Sequence, residues 1–322
     1  MTRASSTVGR ERLRHLASTL DGIIVVPDDV AYDQARRVWN RAVDRRPAAI
    51  VSCASVDDVR RGLEFALTHR LEIAVRSGGH SQAGHGVADR ALVLDLRRLN
   101  RAVVDPSSLS ARVEGGAIVS ELMTAWRPYG LVTPTGGCAD VGLGGLTLGG
   151  GENMLMARHG AVCDNLLATE VVLADGRLVA ANPREHADLF WAIRGGGGNF
   201  GIVTSFEYQL FRLDSVLSGL FYFPVSRTAD VLHVYRNVIA EAPDELQTAG
   251  GLTGTPEGPA VIVAFCYCGV LALHNSLQPH AEGVYVNNLE EEGEARMREV
   301  QRAIRIWSAG PLTRWIDDQA FT

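Results

Sequence analysis

The chain has 322 residues, 46% of them hydrophobic and 21% charged, with a formal net charge of −6. That length allows two domains or one large α/β domain with an insertion, and the acidic balance, with no basic stripe, argues against a nucleic-acid partner. All 31 basic residues are arginine, which excludes a phosphate-binding loop of the GxxxxGK[ST] kind.

The opening residues, "MTRASSTVGRERLRHL", have no apolar core or cleavage signature, so no signal peptide is expected. No stretch approaches the roughly 18 apolar residues of a membrane-spanning helix. Cys53, Cys138, Cys163, Cys266 and Cys268 form no paired CxxC pattern, and reduced thiols in a cytoplasmic protein are the expectation. Residues 10–47 read as mostly helical and amphipathic. "AAIVSCASVDDVRRGLEFALTHRLEIAVRSGGH" then reads strand, turn, helix, strand, with Ser55 as N-cap and Asp57 and Asp58 in the first turn. "ALVLDL" is a short buried strand, and "ARVEGGAIVSELMTAWRPYG" a strand, a Gly-Gly break and a helix.

From Leu131 a second block begins. "LLATEVVLADGRLVAAN" is a hairpin turning at Asp175-Gly176. "HADLFWAIRG" is a short helix stopped by glycine, and "GIVTSFEYQLF" a β-branched, aromatic strand. Beyond about residue 214, "VLSGLFYFPV", a helix near 228–241, "ELQTAGGLT" and "AVIVAFCYCG" predict an antiparallel sheet with a covering helix. The stretch from about residue 283 is charged and partly helical in pattern.

Glycine carries the chemical signal. "VRSGGHSQAGHG" at 75–86 holds four glycines and two histidines directly after an apolar stretch. "CADVGLGGLTLGGGEN" at 138–153 is a second run, readable as a tight buried turn or as backbone lying against a flat ligand. "GGGNFG" at 196–201 fits GxGxxG, yet a helix precedes it and a strand follows, the reverse of the dinucleotide-binding order. A nicotinamide-dependent dehydrogenase is therefore disfavoured. Three runs, at 77–86, 136–151 and 195–201, point to a large cofactor cradled by main-chain amides, which hold a pyrophosphate without a cation.

Together "RSGGHSQAGHG", "PTGGCADVGLGGLTLGGG", "DNLL", "LADG", "DLFWAIRGGGGNFGIVTSFE" and "YVNNLEEEG" resemble the berberine bridge enzyme-like flavoproteins. These are FAD-linked oxidases with a PCMH-type (vanillyl-alcohol oxidase-like) flavin domain. The resemblance runs from about residue 40 to 215 and resumes at 283–300. It implies an α+β fold: a helical lead-in at 1–40, a two-subdomain PCMH-type FAD-binding domain at 41–214, a partial antiparallel-sheet substrate domain at 215–270, and a return segment with an atypical tail at 271–322.

The resemblance also implies site residues. Ser77, Gly78, Gly79, His80 and Ser81 belong to the loop that wraps the FAD pyrophosphate, with His80 joined to the flavin 8α-methyl, and Arg76 before it is counted with the cofactor-binding residues. Gly136, Cys138, Val141, Gly142, Gly145, Leu146, Gly150 and Asn153 come from the second run. There Cys138 stands where bicovalent members link to flavin C6, and small Val141 resembles the side chain that admits O2 in oxidases. Asn165, Gly201, Val203 and Asn287 complete the implied cofactor set, and Tyr285 is the nearest candidate base. The competing readings are a loop histidine bonded to backbone for His80 and a small buried hydrophobe for Cys138; His85 reads as a loop residue.

Several positions depart from the family pattern. Leu146 replaces a histidine of the plant enzymes, and Asn288 stands where several relatives have tyrosine. Asn153 replaces a glycine, where asparagine's tolerance of positive φ is expected to preserve the turn. The segment between Gly269 and Gly283 is short for the family and the usual ending is absent, which suggests an internal deletion and a shifted C-terminus. The implied activity is an FAD-dependent oxidase taking hydride from an alcohol, sugar or amine-like C–H and passing electrons to O2. Its rival is a degenerate flavin-binding protein without turnover.

Overall fold

The computed structural model describes residues 9–213, 216–256 and 258–268. Tyr285, Asn287, Asn288 and the short segment after Gly269 lie outside the described residues. The described chain divides into two compact units, one of residues up to Asn153 together with His159–Arg212, the other of Met154–Arg158 together with the residues from Leu213 onward.

The first unit begins with α1 (Arg10–Ala17), β1 (Ile23–Val25), α2 (Tyr32–Ala35), β2 (Ala49–Ser52), α3 (Val56–Thr68), β3 (Ile73–Arg76) and β4 (Leu92–Asp95). Their sheet runs β1-β2-β4-β3, with β2 and β3 parallel to β4 and β1 antiparallel to β2. Both faces are covered, which explains why the central strands read as unbroken apolar runs. Ala49, Val51, Leu92 and Leu94 pack with Leu13 and Leu16 of α1 and Val59, Leu63 and Ala66 of α3. Ile50, Val93 and Ala74 pack on the opposite side with Tyr32, Val38 and Val87.

The expectation of a mostly helical stretch over residues 10–47 is corrected: two short helices flank a strand. The β-branched run at Ile23, Ile24 and Val25 favours extended backbone. Gly22 allows it to pair, because a Cβ there would lie 2.0 Å from the Ser52 carbonyl oxygen.

Asp58 ties this corner together. Ser55 Oγ accepts from the Asp58 N–H at 3.2 Å, the predicted N-cap of α3. The Asp58 carboxylate, fully buried, accepts from the N–H groups of Asp21, Gly22 and Ala54 at 2.8, 2.9 and 2.8 Å.

The same unit continues with β5 (Ala102–Asp105), β6 (Ser110–Glu114), α4 (Val119–Trp126), β7 (Leu131–Val132), α5 (Leu143–Leu148), α6 (Met156–His159), β8 (Leu166–Val172), β9 (Leu178–Ala181), α7 (Ala187–Ile193), β10 (Ile202–Gln209) and β11 (Phe211–Arg212), α6 ending at its boundary with the second unit. Here the sheet is antiparallel, ordered β5-β6-β10-β8-β9. The β8–β9 hairpin turns at Gly176 as predicted, with φ 81°. Helix α7 precedes the 195–201 glycines and β10 follows them, the reversed order read from the sequence.

The second unit contains β12 (Leu217–Pro224), α8 (Thr228–Ala240), β13 (Leu246–Thr255) and β14 (Gly258–Tyr267), with the antiparallel order β12-β14-β13. Tyr235 on α8 shares a 3.0 Å hydroxyl contact with Thr248 on β13. This matches the predicted sheet and covering helix. No helix among the described residues is long and apolar enough to cross a membrane.

Asp58→Ala is expected to lower unfolding stability by about 3 kcal/mol, the scale for buried donors deprived of a charged acceptor. Urea denaturation measures this as a lower midpoint at unchanged slope. Loss below about 0.5 kcal/mol would show that water replaces the carboxylate at that corner.

Candidate functional site

The first glycine run leaves the end of β3, and its anchor is Arg76. Arg76 is 1% exposed and donates from Nη2 to Asp95 Oδ2 at 2.6 Å, its register partner at the end of β4. Arg97 grips the same carboxylate through Nε and Nη2. Burial pushes the Asp95 carboxyl up, but the Arg97 hydrogen bond and the two guanidinium charges outweigh it, so it stays below the usual carboxylate range. The Arg76 side chain thus holds the loop from beneath, its guanidinium committed to Asp95. Gly79 and Gly86 lie against it, each with a hypothetical Cβ 3.4 Å from its side-chain carbons.

Residues 37–43 clamp the loop from outside. The Trp39 N–H donates to Gly79 O at 3.0 Å, and Asn40 Nδ2 donates to Gln82 O at 2.7 Å. The Trp39 ring stacks on His80, with centroids 5.5 Å apart and planes at 24°. His80 Nε2 lies 3.1 Å from Asp140 Oδ2. A side-chain carboxylate, rather than backbone, is the partner of His80. His85 is exposed, its N–H bonded to Ser81 Oγ at 3.3 Å, a turn contact.

Asp140 belongs to the second glycine run, which is pinned to α4 by Val119 N–H to Val141 O and Ser120 N–H to Ala139 O. The two runs touch through bare backbone. A Cβ on Gly78 would lie 2.3 Å from Gly142 N, and one on Gly142 would lie 2.0 Å from Gly78 N. The third run joins the second through Gly197 N–H to Leu148 O at 2.8 Å. All three clusters read from the sequence therefore converge.

What they leave open is a set of donors. Among the described residues, the N–H groups of Gly78, Gly79, His80, Ser81, Gly142, Gly144 and Gly145 have no protein acceptor. Ser77 Oγ is buried without a hydrogen-bond partner. Gly145 has nothing within 4 Å of a hypothetical Cβ. Unpartnered amides beside open space fit a diphosphate, and the one nearby buried cation, Arg76, is already neutralised. The residues present fit FAD.

The remaining predicted positions divide. Cys138 is exposed, so the buried-hydrophobe reading fails. Val141 and Leu146 are half-buried against the core, and Gly136 lies on Leu146, 3.3 Å from its Cδ2 for a hypothetical Cβ. Asn165 is consumed structurally: its amide donates to His159 O and Ala161 O at 2.9 and 2.8 Å. Val203 is 4% exposed inside the antiparallel-sheet core, and Gly201 packs on Val171 and Val172. The side chains of Asn165 and Val203 therefore support the site instead of lining it. The positive φ expected at Asn153 falls on Gly150 and Gly151, at 101° and 85°, which relieves the asparagine of any strain. Trp39, Asn40 and Asp140 were not singled out from the sequence; the "CAD" tripeptide beside Cys138 was the available signal for Asp140.

Residues 47–182 match the family model described as "FAD binding domain". The (R)-6-hydroxynicotine oxidase of Paenarthrobacter nicotinovorans is 35% identical over 251 residues, covering 77% of this chain and 55% of the relative. The crystal structure of 6-hydroxy-D-nicotine oxidase from Arthrobacter nicotinovorans superposes with a TM-score of 0.77 at 30% identity, covering 89% of this chain and 62% of that one. A structure of the glucooligosaccharide oxidase from Acremonium strictum, described as carrying 6-S-cysteinyl, 8α-N1-histidyl FAD, gives a TM-score of 0.72 at 28% identity, covering 83% of this chain and 57% of that one. The fold and site thus define an FAD-binding protein. The chain carries the FAD-binding domain and is similar to FAD-linked oxidoreductases, berberine bridge enzyme-like proteins among them, and it spans about half the length of the curated relatives it matches.

Two outcomes are expected at this site. Gly142→Ala must displace the Gly78 backbone, and flavin per chain after gel filtration should fall more than tenfold, whereas Gly137→Ala, with nothing within 4 Å, should retain it. Equal loading of both variants would contradict the contact. Asp95→Asn should destabilise the fold by about 3–5 kcal/mol at neutral pH because it strands a buried charge. As the folded Asp95 pKa is lowered, that difference from wild type is full above the ordinary carboxylate pKa of about 3.9 and shrinks as pH falls through the folded value. Denaturation midpoints measured across pH check the sign.

Proposed function

We propose that this chain holds FAD covalently through His80 and Cys138 and serves an oxidase acting on the C–H bond of an alcohol, sugar or amine-like small molecule. The observation that carries this reading is the pairing of two nucleophiles with one cradle. His80 and Cys138 stand on the two loops that meet at Gly78 and Gly142, beside the unpartnered amides. The doubly linked flavin of the glucooligosaccharide oxidase supports the same pair of attachments, and the hydroxynicotine and glucooligosaccharide oxidases support amine-like and sugar substrates respectively.

When bound, FAD supplies the redox chemistry, accepting hydride from the substrate and passing the electrons to O2 with release of hydrogen peroxide. The chain supplies placement. The amides at 78–81 and 142–145 would bind the diphosphate, with Gly136 and Gly150 giving the second run its close approach. Ser77 Oγ would donate the hydrogen bond it lacks in the protein. Val141, small and half-buried, would leave O2 a path to the ring. Tyr285 is proposed to take the substrate's O–H or N–H proton, and Asn287 to contact the flavin.

The test expresses the chain, denatures it and follows yellow flavin on the polypeptide in wild type, His80→Ala, Cys138→Ala and the double variant. Retention in both single variants and loss in the double variant is expected; a colourless wild-type chain would refute covalent attachment. Flavin reduction under nitrogen by an amine, alcohol or sugar, with hydrogen peroxide appearing on admission of air, is the expected activity. A loaded chain that no such compound reduces would favour a flavin binder without turnover.

A further inference from the structure

The contact between His80 and Asp140 has a chemical consequence of its own, resting on the attachment reading above. An imidazole can attack only through a nitrogen that carries a lone pair, and neutral histidine has one such nitrogen. His80 Nε2 faces the Asp140 carboxylate at 3.1 Å. A carboxylate placed beside Nε2 favours the tautomer that carries its hydrogen there, which leaves the lone pair on Nδ1. The Trp39 ring stacked on His80 limits the imidazole's rotation, and Trp39 is itself tied to the loop through Gly79 O.

We propose that Asp140 is a positioning residue for flavin attachment: it holds His80 as the Nε2–H tautomer, directs Nδ1 to the flavin 8α carbon, and takes the Nε2 proton as the new bond forms. The Nδ1–C8α bond forms and one C8α–H bond breaks, its proton leaving to solvent while its electron pair stays in the ring system. The flavin is thereby reduced by two electrons. O2 is the oxidant: it takes the two electrons with two protons, giving one hydrogen peroxide per flavin attached. The positions suit the proton's route, since the His80 side chain is 17% exposed and that of Asp140 69%. The carboxylate can return the proton to water without opening the loop.

The exposure of Asp140 also makes it substitutable without loss of fold. The experiment uses the full chain prepared without flavin, mixed with FAD in air, with covalent flavin followed over time by fluorescence on denaturing gels. Asp140→Ala should bind FAD yet attach it roughly 10²-fold more slowly, the low end for loss of a positioned proton acceptor. Added formate should restore part of the rate, which a purely structural defect would not allow. In the flavin-free wild type, ¹⁵N shifts of His80 should report Nε2–H, and the Asp140→Ala spectrum should shift toward a tautomer mixture.

Attachment at the wild-type rate in Asp140→Ala, or a neutral His80 protonated on Nδ1 in wild type, would overturn the proposal while leaving covalent attachment intact. A wild-type chain that never attaches flavin, with His80→Ala indistinguishable from it, would overturn the attachment reading and this proposal together.

Discussion

A guanidinium buried at the end of a strand must be neutralised, and the architecture around this site follows from that requirement. Arg76 ends β3 facing inward, and Asp95, its register partner at the end of β4, meets it at 2.6 Å. The pairing is possible because β3 and β4 are parallel and end together. A loop leaving that point has a fixed root, and its glycines fold over the Arg76 side chain. The loop's amides then face no protein acceptor, an arrangement unfavourable in an empty fold and useful for holding an anion. Affinity for a diphosphate without a free cation is thus obtained by spending the local cation on the scaffold.

The same constraint assigns work to segments that look unrelated in the chain. Residues 37–43 clamp the loop through Trp39 and Asn40, while the first turn of α4 pins the second glycine run through Val141 O and Ala139 O. A Cβ at either Gly78 or Gly142 would occupy the partner's backbone, so the two loops define one surface. On that surface stand an imidazole, an exposed thiol and, two positions after the thiol, the carboxylate of Asp140. Attachment of a cofactor at two points needs groups of this kind delivered by independent loops that cannot slide apart.

Much of this was legible in the residues. The capped helix after "VSCAS", the hairpin at Asp175-Gly176 and the helix-before-strand order around "GGGNFG" all rest on short-range signals, and each is present in the structure. The three glycine runs were legible as a cradle because glycine's purpose is local. What escaped was long-range. Strand β1 was hidden because its pairing depends on Gly22 passing close to Ser52, a contact between distant residues. The inward turn of Arg76 depends on Asp95, nineteen positions on, and the partnership of Asp140 with His80 on two loops meeting. Asn165 and Val203 were read through the family motif as cofactor contacts, yet their side chains serve a turn and a sheet.

The central claim is that FAD is held by main-chain amides of the glycine runs. It is tested most directly by titrating FAD into the His80→Ala, Cys138→Ala double variant, which cannot attach it, and following ¹⁵N–¹H amide shifts. The largest changes are expected at Gly78, Gly79, Ser81, Gly142, Gly144 and Gly145. Changes concentrated instead on the arginine-lined cleft of Arg36, Arg37 and Arg41, with the glycine amides unmoved, would contradict it.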